Sequence, residues 1–384
     1  MSAGPVLAAA IAPIVGSPSL TLTTNAGVEV PDLPPGFPAQ LTAGMAWTGS
    51  DFTMMSDYIL VLNDIWRAEI NAAVEHYKCK PLDQDGDLVE PASFPLPTLG
   101  KKLEEISDEV HNGRGFCVIR GIDPASYSVE DLTLVYLGVQ SYIAEQRGRQ
   151  DRRGNMLIHI VADNSTKQAA EHHRHSTKPI TFHNEEAGDI VSWLTRSTAA
   201  AGGKCIIASA YTIYNVLATT RPEVIRTLAR SDWPFALPHF QCRPVIFYRD
   251  SKLVMNFGRA ALLGNEAHPR PKHLPSLTRR QMEALDAIEA IAQATQMEIQ
   301  TQAGDMHFIN NLAILHRREG FVDGESPTER RHLVRMRLRS AERGWTIPPE
   351  LEREWNEAFK EEGVRHWHLE PMPPFFFPLR SQPN

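Results

Sequence analysis

The chain is poor in cysteine: its 384 residues contain four, Cys79, Cys117, Cys205 and Cys242, and none of them forms a CxxC pair. This excludes a disulfide framework and a zinc ribbon, and it is typical of a reducing compartment. Basic residues are not in excess either, since 39 Lys and Arg against 46 Asp and Glu leave a net charge of −7. We therefore expect neither nucleic acid nor an anionic membrane surface as a partner.

Long apolar segments are missing too. No run approaches the roughly 18 uncharged apolar residues of a membrane span. The apolar stretch Val6–Val15 contains Pro13, and no Lys or Arg precedes Arg67, so the basic start of a secretory signal is lacking. These features predict a cytoplasmic protein whose residues 1–30 form a loosely ordered arm.

No linker rich in Gly, Ser or Pro divides the rest of the chain, which predicts one domain over residues 31–384. Its N-terminal part, residues 57–146, has helical periodicity and forms a helical elaboration of that domain. We predict helices at Asp57–Cys79, at Thr98–His111 and, behind the N-cap Ser128, at Val129–Gln146.

Short strand-like runs dominate residues 115–340, the predicted barrel core. They are Phe116–Ile122, Met156–Val161, Asp189–Thr195, Lys204–Ala210 and a hairpin of Pro244–Tyr248 with Leu253–Phe257. A helix is predicted at Thr278–Met297, and a C-terminal helix and tail at residues 341–384. Many short strands with flanking and inserted helices predict an α+β fold on one β-barrel or sandwich core.

The chain has 15 histidines, and spacing singles out two of them. His183 and Glu185 are two residues apart, so on a strand both side chains face the same way and can grip one ion. By itself such a triplet also fits a solvated polar turn. His316 is the candidate third ligand, since two histidines and one carboxylate form the facial triad of non-haem Fe(II) oxygenases.

The segment Arg331–Arg339 alternates in character. One face has Arg331, Leu333, Arg335, Arg337 and Arg339, and the other has His332 and three apolar residues that we expect to pack outward. A face rich in arginine needs either solvent or an anion-filled cavity. Arg337 and Arg339 are predicted to be exposed at the strand end.

An antiparallel pairing of segments 312–318 and 331–337 about a loop near 320–328 would place Arg331 roughly opposite His316. A guanidinium at that position suits a dicarboxylate that also chelates the metal.

Four pieces of the sequence occur together in a fixed order. They are Phe182-His183-x-Glu185, Gly202-Gly203, Asn311-x4-His316, and Arg331 with Arg335. In this order and spacing, residues 145–340 resemble the TauD/TfdA-type Fe(II)- and 2-oxoglutarate-dependent dioxygenases, the taurine dioxygenase and clavaminate synthase-like group. The segments Arg147–Asp151 and Arg331–Leu338 look most like fungal members.

The resemblance implies a double-stranded β-helix core, jelly-roll and cupin-like, with iron at one mouth of the barrel. His183, Glu185 and His316 match the family's metal ligands. Arg331 matches the arginine that binds the distal carboxylate of 2-oxoglutarate, and Arg335 matches a position that can contact an anionic substrate.

The implied cofactors are Fe(II) and 2-oxoglutarate, with O2 as co-substrate and ascorbate as an optional reductant. The resemblance together with Arg335 favours a small carboxylate-bearing substrate, an amino acid or a secondary-metabolite intermediate. The expected outcome is hydroxylation, desaturation or ring closure.

Two positions depart from the family pattern. Many relatives have Asp where Glu185 stands, although clavaminate synthase-like members use Glu. Relatives often have Thr where Cys205 stands, and that Thr helps to hold the 2-oxoglutarate carboxylate. A thiol is a weaker hydrogen-bonding group, so Cys205 is either a weak cofactor contact or a small core residue.

Other candidate residues have alternative interpretations. His172, His173 and His175 fit a solvated loop or a lid over the site, and His307 is expected to be structural, on the face opposite to His316. Glu186 should point away, and it is the replacement ligand if the register shifts by one. Phe375–Phe377 are expected to pack on the core, with a homodimer contact as the alternative.

Two rival functions use the same residues. A zinc hydrolase also needs three protein ligands and a water molecule, but it does not explain Arg331 or the Gly-Gly segment. A non-catalytic binding protein on a degenerate barrel does not explain three intact ligand candidates.

Overall fold

The structure, a computed structural model, describes residues 33–79, 86–162, 176–265 and 269–371. The predicted arm of residues 1–30 lies outside the described residues. So do the histidines at positions 172, 173 and 175 and the aromatic residues of the tail.

The larger sheet has seven strands, and all of its pairs are antiparallel except β1 with β2. Its strands are β1 (Ile59–Val61), β2 (Phe116–Arg120), β3 (Gln146–Gly148), β4 (Ile158–Val161), β6 (Ile190–Ser197), β14 (Met306–Asn310) and β17 (His332–Arg339). The order is β1-β2-β14-β6-β17-β3, with β4 also paired to β17.

The smaller sheet has four strands in the order β13-β8-β15-β5. They are β5 (Ile180–His183), β8 (Cys205–Ser209), β13 (Met297–Ile299) and β15 (Ile314–Arg318). The described residues also form three two-stranded ribbons: β7 (Ala201–Gly202) with β16 (Phe321–Val322), β9 (Trp233–Phe235) with β10 (Gln241–Arg243), and β11 (Ile246–Arg249) with β12 (Lys252–Met255).

The α-helices of the described residues are α1 (Asp64–Lys78), α2 (Leu99–His111), α3 (Val129–Ser141), α4 (Ala210–Thr220), α5 (Pro222–Leu228), α6 (Arg259–Leu263), α7 (Arg279–Thr295) and α8 (Glu352–Phe359). None of the helices in this part of the chain is long and apolar enough to cross a membrane.

Three apolar clusters define the layers of the fold. Helices α1, α2 and α3 bury residues such as Val74, Leu103 and Val135 against the outer face of the larger sheet. Helices α4, α5 and α7 do the same behind the smaller sheet. Between the two sheets, both inner faces contribute to a third cluster, which includes Trp193 and Ile207. This arrangement confirms the predicted α+β fold with a double-stranded β-helix core.

Local sequence signals set the starts of several helices. The side chains of Asn63, Ser128 and Thr278 accept hydrogen bonds from backbone N–H groups in the first turns of α1, α3 and α7. The predicted start of the first helix at Asp57 is wrong, because residues 59–61 form β1 beside β2 and the helix begins only after the Asn63 cap.

Helices α4 and α5 were not predicted. The sequence of α4 is rich in Thr, Tyr and β-branched residues, which favour strands. Its start is set by Ser209, whose hydroxyl accepts from the Thr212 N–H, and its buried face includes Tyr211, Ile213 and Leu217. Tertiary packing therefore overrides local preference here. The predicted hairpin is confirmed, with positive φ at Asp250 and Ser251 in its two-residue turn.

The predicted pairing of segments 312–318 and 331–337 is wrong. Strand β15 pairs with β8 and β5 in the smaller sheet, whereas β17 pairs with β6, β3 and β4 in the larger one. The alternation of β17 predicts which residues share a face, but it does not predict the neighbouring strand. The predicted faces are confirmed, since Val334, Met336 and Leu338 pack outward under the helices.

A pair of histidines joins the outer side of the larger sheet to the C-terminal segment. The Nε2–H of His159 donates to the His368 carbonyl at 2.6 Å, and its Nδ1 lies 2.9 Å from Nε2 of His332. With both rings neutral, Nδ1 of His159 accepts from the Nε2–H of His332. Burial lowers the pKa of His159 to about 4 and that of His332 to about 3.

We predict that this pair makes the fold sensitive to acid. In the unfolded chain both imidazoles take up protons near their ordinary pKa, so stability present above pH ~6.5 is lost as the pH falls towards about 4. His159→Gln keeps a donor and an acceptor but removes the titrating group. Between pH ~6.5 and about 4, the free energy of unfolding should therefore fall by on the order of 2 kcal/mol less in His159→Gln than in the wild type.

The measurement is denaturant unfolding at a series of pH values. The control is His76→Gln on the exposed side of α1, which should follow the wild-type curve. An unchanged slope in His159→Gln would contradict the assignment.

Candidate functional site

The two candidate histidine ligands face each other across neighbouring strands of the smaller sheet. His183 ends β5 and lies directly opposite His316 on β15. Paired residues of antiparallel strands project from the same face, and here the ring centroids are 4.3 Å apart. The strand register therefore brings together two residues that are far apart in the sequence.

Glu185 completes the group from the turn after β5. Its Oε1 lies 3.9 Å from Nε2 of His183 and 3.8 Å from Nε2 of His316, and the residue is 6% exposed. The donor atoms of the three residues all lie within 4.8 Å of one another. The sequence prediction placed these three residues together, and the structure does so.

The imidazole of His183 is held in the tautomer that a metal needs. Its Nδ1–H donates to the Thr181 carbonyl at 2.8 Å, which leaves the lone pair on Nε2 directed at the group. The Nδ1 of His316 is buried and has no hydrogen-bond partner among the described residues. Two neutral imidazoles and one carboxylate fit a divalent transition metal such as iron, and each can contact the ion through one atom.

Asn311 holds the backbone that presents Glu185. Its Oδ1 accepts from the Glu185 N–H at 2.7 Å, and its Nδ2–H donates to the carbonyls of Glu185 and Gly188. The asparagine is 1% exposed. The sequence contained a signal for it, since Asn311 stands five residues before His316 in the motif, but no role was predicted.

Arg331 lies in the wall of the same cavity as the three ligand candidates. Its guanidinium lies over Phe321, with Cζ 5.4 Å from the ring centroid, and among the described residues it makes no ion pair. Enclosure lowers its pKa to about 10, so the group stays cationic at neutral pH. A cation in this position is suited to an anionic ligand.

Cys205 begins β8 and lines the cavity with Arg331. Burial raises the pKa of its thiol to about 12, although Arg331 opposes the shift. At neutral pH the side chain is therefore a protonated, weak donor. Its location fits both of the predicted roles, a weak cofactor contact and a small core residue.

Arg335 directly contacts the candidate metal-ligand group, which consists of His183, Glu185 and His316. Its Nη1 forms an ion pair with Oε1 of Glu185, and its Nη2–H donates to Oε1 of Gln150 at 3.2 Å. The residue is 3% exposed. Arg335 therefore orients the carboxylate and also adds a positive charge to the cavity wall.

The prediction that Arg337 is exposed is wrong. The residue is 4% exposed, and its Nη2–H donates to Oε2 of Glu186 at 3.1 Å. The carboxylate of Glu186 offsets the cost of burying this arginine. The alternating pattern of residues 331–339 could not predict this, because the carboxylate comes from a distant part of the sequence. Glu186 was predicted to point away from the ligand candidates, and its carboxylate accepts from Arg337, a contact that was not predicted. The group of three candidate ligands contains Glu185 and not Glu186.

His307 faces the interior, so its predicted position on the opposite face is wrong. It lies on β14 of the larger sheet, and its ring stacks on Trp193 with centroids 4.9 Å apart. Because β14 and β15 belong to different sheets, residue spacing does not relate their faces. Burial lowers the pKa of His307 to about 3, so its ring is neutral.

The cavity around the site combines apolar walls with positive charge. Ile160, Ile180, Trp193 and Leu333 supply apolar surface, and Arg317, Arg318, Arg331 and Arg335 are its arginines. Glu185 is the carboxylate in this described lining. The excess of cations favours an anionic ligand beside the metal-ligand group.

Two similar proteins extend this picture. The chain is similar to the taurine hydroxylase-like protein SAT17 of Stachybotrys chartarum, with 34% identity over 347 residues, which cover 87% of this chain and 89% of that protein. It is also similar to FR-33289 synthase of Streptomyces rubellomurinus, with 25% identity over 334 residues, 81% of this chain and 93% of the synthase.

Solved structures share the fold at low identity. An asparagine oxygenase in complex with Fe(II), hydroxyasparagine and succinate has a TM-score of 0.59 and 17% identity, covering 74% of this chain and 94% of its own. The non-haem iron oxygenase OrfP with Fe and alpha-ketoglutaric acid has a TM-score of 0.54 and 17% identity, covering 73% and 93%.

The model of one protein family matches residues 78–337, which include every candidate site residue. The match runs from the end of α1 to Arg337 on β17, so it contains the whole smaller sheet and most of the larger one. The chain belongs to the taurine catabolism dioxygenase TauD, TfdA family.

Proposed function

We propose that this protein is a non-haem Fe(II)- and 2-oxoglutarate-dependent oxygenase that oxidises a small carboxylate-bearing molecule, an amino acid or a secondary-metabolite intermediate. The observation that carries this proposal is the group of His183, Glu185 and His316 in a cavity whose wall contains Arg331. Membership of a dioxygenase family supports an oxygenase over a zinc hydrolase or a non-catalytic barrel.

In the proposed site, His183, Glu185 and His316 would hold Fe(II), each through one donor atom. Arg331 binds the distal carboxylate of 2-oxoglutarate, and Cys205 lies beside that carboxylate as a weak donor. Together with 2-oxoglutarate, bound Fe(II) supplies the O2 chemistry that breaks an unreactive C–H bond. The apolar walls at Ile160 and Leu333 keep bulk water away from that chemistry.

We propose that Arg335 binds the carboxylate of the substrate. This arginine lines the same cavity as Arg331 and forms an ion pair with Glu185. The relatives support the substrate class: one solved neighbour is bound to hydroxyasparagine, another to L-Arg, and a related protein is a synthase. O2 is the co-substrate and ascorbate an optional reductant.

We also infer a cytoplasmic location and neither a nucleic-acid nor a membrane partner. For the aromatic residues of the tail, a homodimer contact is the alternative to packing on the core. One domain over residues 31–384 with an arm at 1–30 stays a prediction as well. These inferences rest on the sequence alone.

The first prediction concerns the metal. His316→Ala removes one of three donors, so Fe(II) binding measured by anaerobic titration should weaken by at least ~100-fold. His273→Ala is the matched control, because His273 is an exposed histidine far along the chain from the motif residues. Wild-type metal affinity in His316→Ala would contradict the ligand assignment.

The second prediction concerns turnover. In a panel of small carboxylates with Fe(II), 2-oxoglutarate and O2, at least one amino acid or related acid should stimulate release of succinate. His316→Ala should abolish that release. Lack of 2-oxoglutarate turnover in the wild type, or undiminished turnover in His316→Ala, would contradict the proposed function.

The third prediction tests Arg335. Arg335→Gln removes a charged hydrogen bond and should raise the Michaelis constant for the substrate by about 10- to 100-fold, while the constant for 2-oxoglutarate changes less. Arg335→Lys should recover part of the loss because it keeps the charge. The control is Arg339→Gln, since Arg339 lies 4.0 Å from Asp189 at the end of β17.

Fe(II) affinity is measured in parallel, because Arg335 also contacts Glu185. An unchanged Michaelis constant for the substrate in Arg335→Gln, with the metal still bound, would show that another group receives the substrate anion.

A further inference from the structure

Thr195 occupies a position on the inner face of the larger sheet that the proposed chemistry has not used. It follows Trp193 by two residues on β6, so both side chains face the barrel interior. Across the sheet, Thr195 is the partner of Leu333 on β17, two residues beyond Arg331. The threonine is therefore close to the start of the arginine-rich face.

Thr195 and Arg331 line the same cavity, which is the second one at this end of the barrel. This cavity, of about 250 Å³, is lined by both residues and by Gly203 and the turn that precedes β8. It shares Trp193, Cys205, Arg331 and Leu333 with the cavity that contains the metal-ligand group. The two spaces therefore meet at the arginine that binds the distal carboxylate in the proposed function.

The hydroxyl of Thr195 has no protein partner among the described residues. The residue is 1% exposed, and its Oγ1 is buried without a hydrogen bond to any of them. Its backbone groups are satisfied, since its N–H donates to the Asp305 carbonyl and its own carbonyl accepts from Gly304. A buried hydroxyl without a partner costs free energy, so its retention here points to a ligand that accepts from it.

Cys205 lines the same cavity as Thr195 and is only a weak hydrogen-bond donor. Its thiol is protonated at neutral pH and lies beside Arg331 in the wall of this cavity. A thiol donates only weakly to an oxygen anion, whereas a hydroxyl donates well. Thr195 lines the same cavity from the opposite sheet. Its hydroxyl can therefore donate to an anionic oxygen to which the thiol of Cys205 would donate only weakly.

We propose that Thr195 is a binding residue for the distal carboxylate of 2-oxoglutarate, donating its Oγ1–H to an oxygen whose negative charge Arg331 balances. This inference rests on the proposed function and deepens it. It assigns recognition of the dicarboxylate to Arg331, which immediately precedes β17, and to one hydroxyl on β6.

The test measures ligand binding rather than turnover. Anaerobic Fe(II) protein is titrated with 2-oxoglutarate and, separately, with 2-oxobutanoate, which has the same chelating end but lacks the distal carboxylate. Thr195→Val replaces the hydroxyl with a methyl group of similar size. We expect it to weaken 2-oxoglutarate binding about ten-fold and to leave 2-oxobutanoate and Fe(II) binding unchanged.

Three further variants make the result specific. Thr195→Ser keeps the hydroxyl and should bind 2-oxoglutarate nearly as tightly as the wild type. Thr195→Ala should show the same loss as Thr195→Val, with folding of both checked by circular dichroism. Thr198→Val makes the same chemical change at a half-buried position of the second cavity and should have no effect.

Several outcomes would overturn the assignment. These are wild-type 2-oxoglutarate affinity in Thr195→Val and Thr195→Ala, an equal loss for 2-oxobutanoate, or an equal loss in Thr198→Val. A wild-type protein that does not bind 2-oxoglutarate would instead contradict the proposed function, and with it the ligand on which this inference rests.

Discussion

The antiparallel register between β5 and β15 is the constraint on which the site depends. It places His183 directly opposite His316, and the turn that follows β5 then brings Glu185 to both imidazoles. A shift of one residue would direct one histidine out of the barrel. The side-chain amide of Asn311 holds this turn in place through hydrogen bonds to the backbone of Glu185. Asn311 lies in the connection between β14 and β15, so it links the turn to the strand that bears His316.

The second organising feature is the burial of arginine on one face of β17. A chain with net charge −7 directs Arg335 and Arg337 of β17 into the interior of its barrel, and Arg331, just before the strand, lines the same interior cavity as Arg335. Two of them have internal carboxylates, Glu185 for Arg335 and Glu186 for Arg337. Arg331 makes no such ion pair among the described residues, so its position favours an anion from solution.

Much of the fold could be predicted from periodicity, and much of the site from motif spacing together with the resemblance to a known family. Alternation over residues 331–339 gave the inward and outward faces of β17, and the joint order of the motifs indicated the ligand group. Strand partners could not be predicted, because alternation is the same whichever strand lies alongside. The burial of Arg337 depends on Glu186, which is more than a hundred residues away, and α4 depends on packing that outweighs its strand-like composition.

The contact between Arg335 and Glu185 has a consequence for how the protein handles its metal. A buried carboxylate without a counter-ion is costly, and removing one partner of a buried pair destabilises a protein strongly. Here the guanidinium supplies a permanent counter-ion to the ligand oxygen that faces both imidazoles. If the group holds iron as proposed, the metal can therefore be lost and regained without leaving an unpaired negative charge in the core, and the barrel can fold before the metal is loaded.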